Sequence, residues 1–313
     1  MAIKNTVSMK KKPIGERIRK NKYLLLMCIP FVIWAIIFFY IPLYGWLMAF
    51  QNYNPGIGLF SNNWVGMKYF QRFFHDPQFG TVMRNTVALG AINIVNFTIW
   101  PVVFALLLNE LRNIKIKKSI QTISYLPHFV SYVVVANLFL TLLSPSGGVV
   151  NELLVALGIT KESVHFFAKP KAWWFIIAFI NIWKDCGWSA IVYLAAISSI
   201  DPLLYEAAAI DGAGRLRQIW NITLPGIVPT IVILLILSVP DLLNAGFEPS
   251  FLLGNSIVSD HSEVLDLFIY NKGIKYAQFS YATAIGIMRT LLGLILVLGA
   301  NKFAKSVSDY GIL

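Results

Sequence analysis

The sequence is poor in charged residues and nearly devoid of cysteine. Only 13% of its 313 residues are Asp, Glu, Lys or Arg, whereas 57% are hydrophobic. A water-soluble domain carries about 25% charged residues, so this composition excludes a chain that faces water over most of its surface. The two cysteines, Cys28 and Cys186, lie far apart within apolar runs, which excludes a disulfide framework and favours buried free thiols.

Motifs for catalysis, metal binding and nucleotide hydrolysis are missing as well. No G-x-x-x-x-G-K-[ST] stretch occurs, so we do not expect the chain to hydrolyse ATP. Its net charge of +11 comes from Lys and Arg at the ends of apolar runs, without interleaved aromatics, so we expect no nucleic-acid partner. A membrane enzyme would need a convergent catalytic cluster, and the sequence offers only scattered single residues. The four histidines lack metal-ligand spacing: His75, His128, His165 and His261.

What the sequence does contain is a series of six apolar runs, each long enough to cross a bilayer as a helix of about 20 residues. They cover 24–50, 85–108, 126–143, 173–197, 224–245 and 281–300. Residues 1–22 hold eight Lys or Arg against one acid, Glu16, and such a basic segment stays on the cytoplasmic side. We therefore predict an all-α integral membrane protein with six transmembrane helices and both termini in the cytoplasm.

The domain organisation follows from these runs. We predict a basic cytoplasmic N-terminus (1–22), a first span with an outer segment (23–80), a transmembrane domain (81–305) and a cytoplasmic tail (306–313). The aromatic and charged residues of the outer segment suit either a helix in the membrane interface or an ordinary ordered loop. A short outer helix is predicted over 151–157, ended by Gly158.

The stretch 201–225 differs from the apolar runs on either side because it carries helix starts and stops. Asp201 followed by Pro202 predicts a helix start, and Gly212 can take the positive φ that ends it. Arg215 to Trp220 predicts a second short helix, and Pro225 opens the next apolar run. Such a linker is too polar to cross the bilayer and more ordered than a simple connecting loop, so we predict that it is a docking element.

At this stretch the sequence resembles a family. Its spaced pattern is the cytoplasmic signature of the membrane-spanning subunits of ABC importers, and it reads Glu206, Ala207, Ala208, Gly212, Ile222, Leu224 and Pro225. YLAAISSIDPLLYEAAAIDGA resembles the maltose-permease type. NAGFEPSFLL and QFSYATAIGIMRTLLGLILVLGANKFAK resemble the branch assigned to complex oligosaccharides and polysaccharides.

The resemblance implies a type I importer permease fold, in which 201–225 is a coupling helix that includes Asp211 and Ala213. It implies a bacterial cell-membrane subunit that works with a second similar permease, two ATP-binding subunits that bind ATP and Mg, and an extracytoplasmic solute-binding protein. The substrate would be a carbohydrate. No cofactor is expected in this chain itself.

Polar residues inside the apolar runs are candidates for the substrate path, because each needs a partner or water in the membrane. They are Asn93, Asn96, Trp100, Asn137, Asn181, Lys184, Asp185, Trp188, Asp241, Asn244, Glu248 and Arg289. Asn93, Asn96 and Trp100 share a helical face that we expect to point into the bundle. Pro240 should break the fifth span just before Asp241.

The two cations Lys184 and Arg289 would each cost about 2.5–3.5 kcal/mol at mid-bilayer without a partner. Asp185 and Asp241 are the expected partners, although Asp185 should point about 100° away from Lys184 and not simply neutralise it along the helix. Both a structural ion pair and contact with a polar or acidic saccharide remain open for these cations.

Two other functions remain open. The chain could be an ABC permease for another solute, such as a polyol phosphate or a peptide. A six-span channel or ATP-independent carrier would not need the linker pattern and would work without partner subunits.

Overall fold

The computed structural model describes residues 20–60, 62–243 and 246–307, with the side chains of Pro240 and 303–307 left out. Within these ranges all regular secondary structure is helical, apart from one isolated bridge between Gln51 and Trp64. The longer helices are α1 (Lys22–Phe50), α2 (Lys68–Phe74), α3 (Phe79–Asn109), α4 (Ile114–Phe129), α5 (Tyr132–Leu142), α6 (Val149–Ala156), α7 (Trp173–Ser198), α8 (Pro202–Ile210), α9 (Arg215–Ser238), α10 (Phe247–Leu253), α11 (Ser259–Ser262), α12 (Leu265–Tyr270) and α13 (Phe279–Val307).

Five of the described helices are long and apolar enough to cross a membrane: α1, α3, α7, α9 and α13. The predicted third span, 126–143, is not one straight helix. It is replaced by α4 and α5, which are bent by 104° at their junction and count as a sixth span only if the pair crosses as one. Pro127 and the N-cap Ser131, whose hydroxyl accepts from the Val134 amide at 3.5 Å, favour that break.

The core lies between α3 and α7, the most extensively paired helices. One buried cluster joins them to α5 and includes Leu89, Val135 and Ile177. A second cluster packs Phe73 of α2 against Tyr281 of α13. The predicted outer segment is therefore ordered through protein packing at α2.

The first helix, α1, has a different environment from the others. None of its most apolar 18-residue stretch is buried within this chain. It changes from α-helix to a π turn at Ile36–Tyr40 and then to 3-10 geometry at Ile41–Phe50. Pro42, which has no N–H to donate, lies at the start of the 3-10 part and favours this change of geometry.

The fifth span differs from its predicted bounds at both ends. The second short helix predicted after Gly212 is continuous with the span, because α9 begins at Arg215, runs through a π turn at Ile219–Thr223 and continues past Pro225. At the other end α9 stops at Ser238 and a 3-10 turn, Val239–Leu242, follows. The break expected at Pro240 is thus present. The outer helix α6 lies where expected, and Gly158 follows it with φ +69°.

Candidate functional site

A cavity of about 670 Å³ lies among α3, α7, the end of α9 and the start of α10. Its volume is within the range of 300–1,000 Å³ that is usual for small-molecule sites. Polar side chains from distant parts of the chain meet there. They are Asn93, Thr98, Tyr132, Asn181, Lys184, Asp185, Trp188, Ser189, Ser238, Asp241 and Glu248.

A chain of hydrogen bonds fixes the amides of this wall. The Tyr132 hydroxyl donates to Asn181 Oδ1 at 3.0 Å, and Asn181 Nδ2 donates to Asn93 Oδ1 at 3.0 Å. Asn181 is buried and links α5 and α7 to α3. The amides therefore both hold the helices together and present oriented polar groups at the cavity.

The charged pair on α7 is tied to the junction between α4 and α5. Asp185 Oδ1 lies 2.7 Å from His128 Nδ1 and 3.8 Å from Lys184 Nζ. Lys184 Nζ also donates to the His128 carbonyl at 2.9 Å. The expectation that Asp185 and Lys184 point too far apart to neutralise each other is wrong, because the long lysine side chain reaches back. No sequence pattern predicted a role for His128, which also stacks on Trp188 with ring centroids 4.7 Å apart and ring planes 3° apart.

Arg289 of α13 has a partner that the sequence analysis missed. Its Nε lies 2.7 Å from Asp266 Oδ1, and its Nη2 donates to Asp266 Oδ2 at 2.9 Å, a bidentate pair. Burial raises the pKa of the Asp266 carboxyl, although Arg289 acts in the opposite direction. Asp266 lies on α12, between the fifth and sixth predicted spans, and Arg289 does not line the cavity.

Three further path residues lie outside the cavity, and one lies outside the described residues. Asn96 is buried and donates to the Ala178 carbonyl at 3.3 Å, so it joins α3 to α7. Trp100 is 47% exposed, and the expectation that it faces the bundle interior is not met within this chain. Asn137 is exposed and bonds the Val133 carbonyl at 3.0 Å. Asn244 is not among the described residues.

Several cavity residues escaped the sequence analysis. Ser189 follows Trp188 directly and points about 100° away from it on α7, so helical spacing does not group it with Asn181, Lys184 and Trp188. Tyr132 and Ser238 belong to other helices, and no local pattern connects them to this face.

The linker between α7 and α9 ends its first helix with a well-formed cap. Asp201 Oδ1 accepts from the Leu203 amide at 2.9 Å and starts α8. At the other end Gly212 has φ +74°. The Gly212 amide donates to the Ala209 carbonyl at 3.1 Å and the Ala213 amide to the Ala208 carbonyl at 2.8 Å. These two bonds form a Schellman motif, which requires a left-handed residue.

The linker is fastened to the spans on both sides. Tyr205 hydrogen-bonds the buried Thr223 at 2.9 Å, and Gln218 Nε2 donates to the Ala213 carbonyl at 3.1 Å. Arg215 lies 3.7 Å from Glu110, which follows α3. The linker therefore has a fixed position relative to α3 and α9.

The signature residues divide into two groups by exposure. Exposed ones are Glu206, Ala207, Asp211, Gly212 and Pro225, whereas Ala208, Ala213, Ile222 and Leu224 are half-buried. Three large apolar neighbours protrude: Ile210 is 88% exposed, Leu216 73% and Trp220 67%. An exposed apolar patch of this kind marks an interaction surface.

Comparison of the sequence with known proteins identifies a family and two similar transport proteins. The family model described as "Binding-protein-dependent transport system inner membrane component" matches residues 101–309. The chain is 45% identical to the polygalacturonan/rhamnogalacturonan transport system permease protein YteP of Bacillus subtilis (strain 168), over 97% of this chain and 94% of that protein. It is 40% identical to Protein LplB of the same organism, over 94% of this chain and 92% of LplB.

Solved structures show the same architecture. A crystal structure of a bacterial ABC transporter involved in the import of the acidic polysaccharide alginate has a chain that matches with a TM-score of 0.87 and 39% identity, over 94% of this chain and 99% of that one. In a second, the alginate transporter is in complex with an alginate pentasaccharide-bound periplasmic protein. There the TM-score is 0.88 and the identity 38%, over 96% of this chain and 99% of that one.

These likenesses confirm the all-α type I permease fold and a multi-pass transport subunit rather than an enzyme. The chain belongs to the family of binding-protein-dependent transport system inner membrane components, the permease subunits of ABC importers.

Proposed function

We propose that this permease carries an oligosaccharide across the bacterial cytoplasmic membrane, with both termini and the linker 201–225 on the cytoplasmic side. It pairs with a second permease subunit and two ATP-binding subunits, which bind the ATP and Mg, and receives its substrate from an extracytoplasmic binding protein. The names of the relatives support the choice of sugar, since they refer to polygalacturonan, rhamnogalacturonan and alginate.

The observation that carries the proposal is the exposed apolar surface of the linker, formed by Ile210, Leu216 and Trp220. Exposing these side chains to water is unfavourable, so they favour a protein partner. The Schellman motif and the bond between Tyr205 and Thr223 give the linker a rigid shape that can transmit a push. An ATP-driven movement of the docked partner would then reach α9 directly.

The cavity has chemistry that suits a sugar. Asn93 and Asn181 present amides, which exchange hydrogen bonds with hydroxyls, and Trp188 presents an aromatic ring that can stack on a pyranose. Lys184 supplies a cation that a carboxylate of an acidic sugar could approach, but Asp185 lies 3.8 Å from it. We therefore expect recognition to rest on hydroxyl and ring contacts more than on net charge.

The test is uptake into proteoliposomes that contain the complete complex and ATP. Acidic oligosaccharides of galacturonate are offered by the binding protein and compared with neutral oligosaccharides. Uptake that requires ATP and every subunit supports the proposal, whereas uptake by this chain alone, without ATP, would indicate a carrier and refute it.

A matched pair of variants tests the cavity. Trp188→Ala should lower uptake about fivefold or more, because a stacked aromatic contact with a sugar contributes on the order of 1 kcal/mol beyond the area it buries. Trp100→Ala removes a Trp of similar exposure outside the cavity and should leave uptake unchanged. Equal effects of the two variants would remove the cavity from the path.

A further inference from the structure

The helix α4 runs almost perpendicular to α5, the helix that follows it. The bend between Ile114–Phe129 and Tyr132–Leu142 is 104°. Spans tilt by about 20° from the bilayer normal on average, so α4 lies close to the membrane plane when α5 has such a tilt. At 11 residues, α5 is about 16 Å long, roughly half the hydrocarbon thickness, so the residues after it must complete the third crossing.

The sequence of α4 has the two faces that such a position requires. At about 100° per residue, Ile116, Ile120 and Ile123 fall within an arc of about 60°. Lys118 points the opposite way, and Lys115 and Lys117 lie about 100° to either side of Ile116. The α-helical part, Ile114–Tyr125, contains three lysines and no acidic residue. This is the pattern of an interfacial helix, with lysines placed to reach lipid headgroups.

Protein contacts fix α4 along one edge and leave its apolar face open. Ser124 packs so closely on α7 that a Cβ at Gly187 would overlap the Ser124 carbonyl. The pair of His128 and Asp185, at 2.7 Å, anchors the junction. Yet Ile116 is 50% exposed and Ile123 72% exposed to solvent in the chain as described.

We propose that α4 lies in the headgroup layer of the membrane and binds anionic phospholipids. Its isoleucines enter the acyl chains, while Lys115, Lys117 and Lys118 bind the phosphates. The placement in the cytoplasmic leaflet rests on the topology of the proposed function. Lipid fits better than a second protein because three lysines and no acidic residue flank the apolar face, which matches anionic headgroups above acyl chains.

The first experiment measures the depth of α4 in the full complex, in nanodiscs of phosphatidylcholine and phosphatidylglycerol at 3:1. Spin labels are attached to Ile116→Cys, Ile123→Cys and, as the matched polar position, Lys118→Cys, after Cys28 and Cys186 are replaced by Ser. Labels at 116 and 123 should be reached by oxygen, and the label at 118 by a water-soluble nickel chelate. A label at 123 that the nickel chelate reaches, or that both reagents miss because a protein subunit covers it, would overturn the proposal.

The second experiment tests the preference for anionic lipid. Each lysine near the surface contributes about a fivefold preference at low salt. The triple variant Lys115→Gln/Lys117→Gln/Lys118→Gln should therefore lose most of the phosphatidylglycerol that co-purifies with the complex from mixed membranes, and salt should weaken the wild-type enrichment. A triple variant with unchanged enrichment would disprove the lipid site.

The control removes the same number of positive charges from a segment that the proposed topology places on the other side of the membrane. Lys161→Gln/Lys169→Gln/Lys171→Gln alters three exposed lysines between α6 and α7 and should keep the enrichment. Modification of Lys118→Cys by a membrane-impermeant maleimide from each side then fixes the leaflet. Modification from the outside would contradict the proposed topology, while the depth measurement still decides whether α4 is interfacial.

Discussion

The turn at Gly212 offers the sharpest test of the coupling linker. Gly212 has φ +74°, and a Cβ added there would meet no atom within 4 Å. A substitution by Ala therefore causes no steric clash, and its cost comes from the backbone alone. A left-handed conformation costs an L-residue roughly 1–2 kcal/mol. The Schellman bonds of Ala213 and Gly212 depend on this conformation.

This cost sets the size of the expected effect. A free energy of 1–2 kcal/mol lowers the population of the native turn by about 5- to 30-fold relative to its alternatives. Gly212→Ala should weaken docking of the ATP-binding subunit by that factor. Gly212→Asn should weaken it less, because Asn tolerates the left-handed region. Gly214, with φ −67° and equally open surroundings, gives the matched control, and Gly214→Ala should dock normally.

The assay titrates the purified permease pair with the ATP-binding subunit and measures both docking affinity and the ATP hydrolysis that the loaded binding protein stimulates. All variants should insert into the membrane equally, because the turn lies outside the spans. If Gly212→Ala and Gly214→Ala behave alike, in either direction, the conformation of the turn is not what couples the subunits.

Two further pairs of variants test the packing of the spans. Arg289→Met should destabilise the complex by about 2–3 kcal/mol, somewhat below the 3–5 kcal/mol of a fully buried pair because both side chains are partly exposed. Asp266→Leu in the same chain should restore part of the loss, and an unfolding temperature that Arg289→Met leaves unchanged would contradict this role of the pair. Gly187→Ala should lower the free energy of unfolding by about 1–3 kcal/mol because its Cβ overlaps the Ser124 carbonyl. Gly286→Ala is the control, because a Cβ there meets open space and should not destabilise the protein. Equal unfolding temperatures of the two variants would show that α4 and α7 separate easily.

Apolar run length located five of the spans and did not reveal the bend at the third. It counts residues and carries no direction, so it cannot show that the chain turns by 104° between Phe129 and Tyr132. The local breakers Pro127 and Ser131 were present in the sequence. Their effect depends on whether neighbouring groups satisfy the freed backbone, which only the tertiary structure decides.

Helical periodicity explains which site residues could be found. Asn181, Lys184 and Trp188 share a face of α7, and the structure places all three at the cavity. On α3 the same reasoning grouped Trp100 with Asn93, but periodicity does not tell which edge of a face meets the cavity. Pairs between helices were out of reach, as with His128 and Asp185, which lie 57 positions apart.

The linker and the cavity are connected by one continuous helical segment. Helix α9 runs from Arg215 through the π turn at Ile219–Thr223 to Ser238, about 36 Å for its 24 residues, and Ser238 lines the cavity. At its start, Arg215 contacts Glu110 at the end of α3, which forms another wall of the cavity. A displacement of the linker would therefore reach the wall that α9 forms. Because Asn93 and Asn96 of α3 are hydrogen-bonded to α7, a shift of Ser238 relative to that pair of helices would change the opening of the cavity.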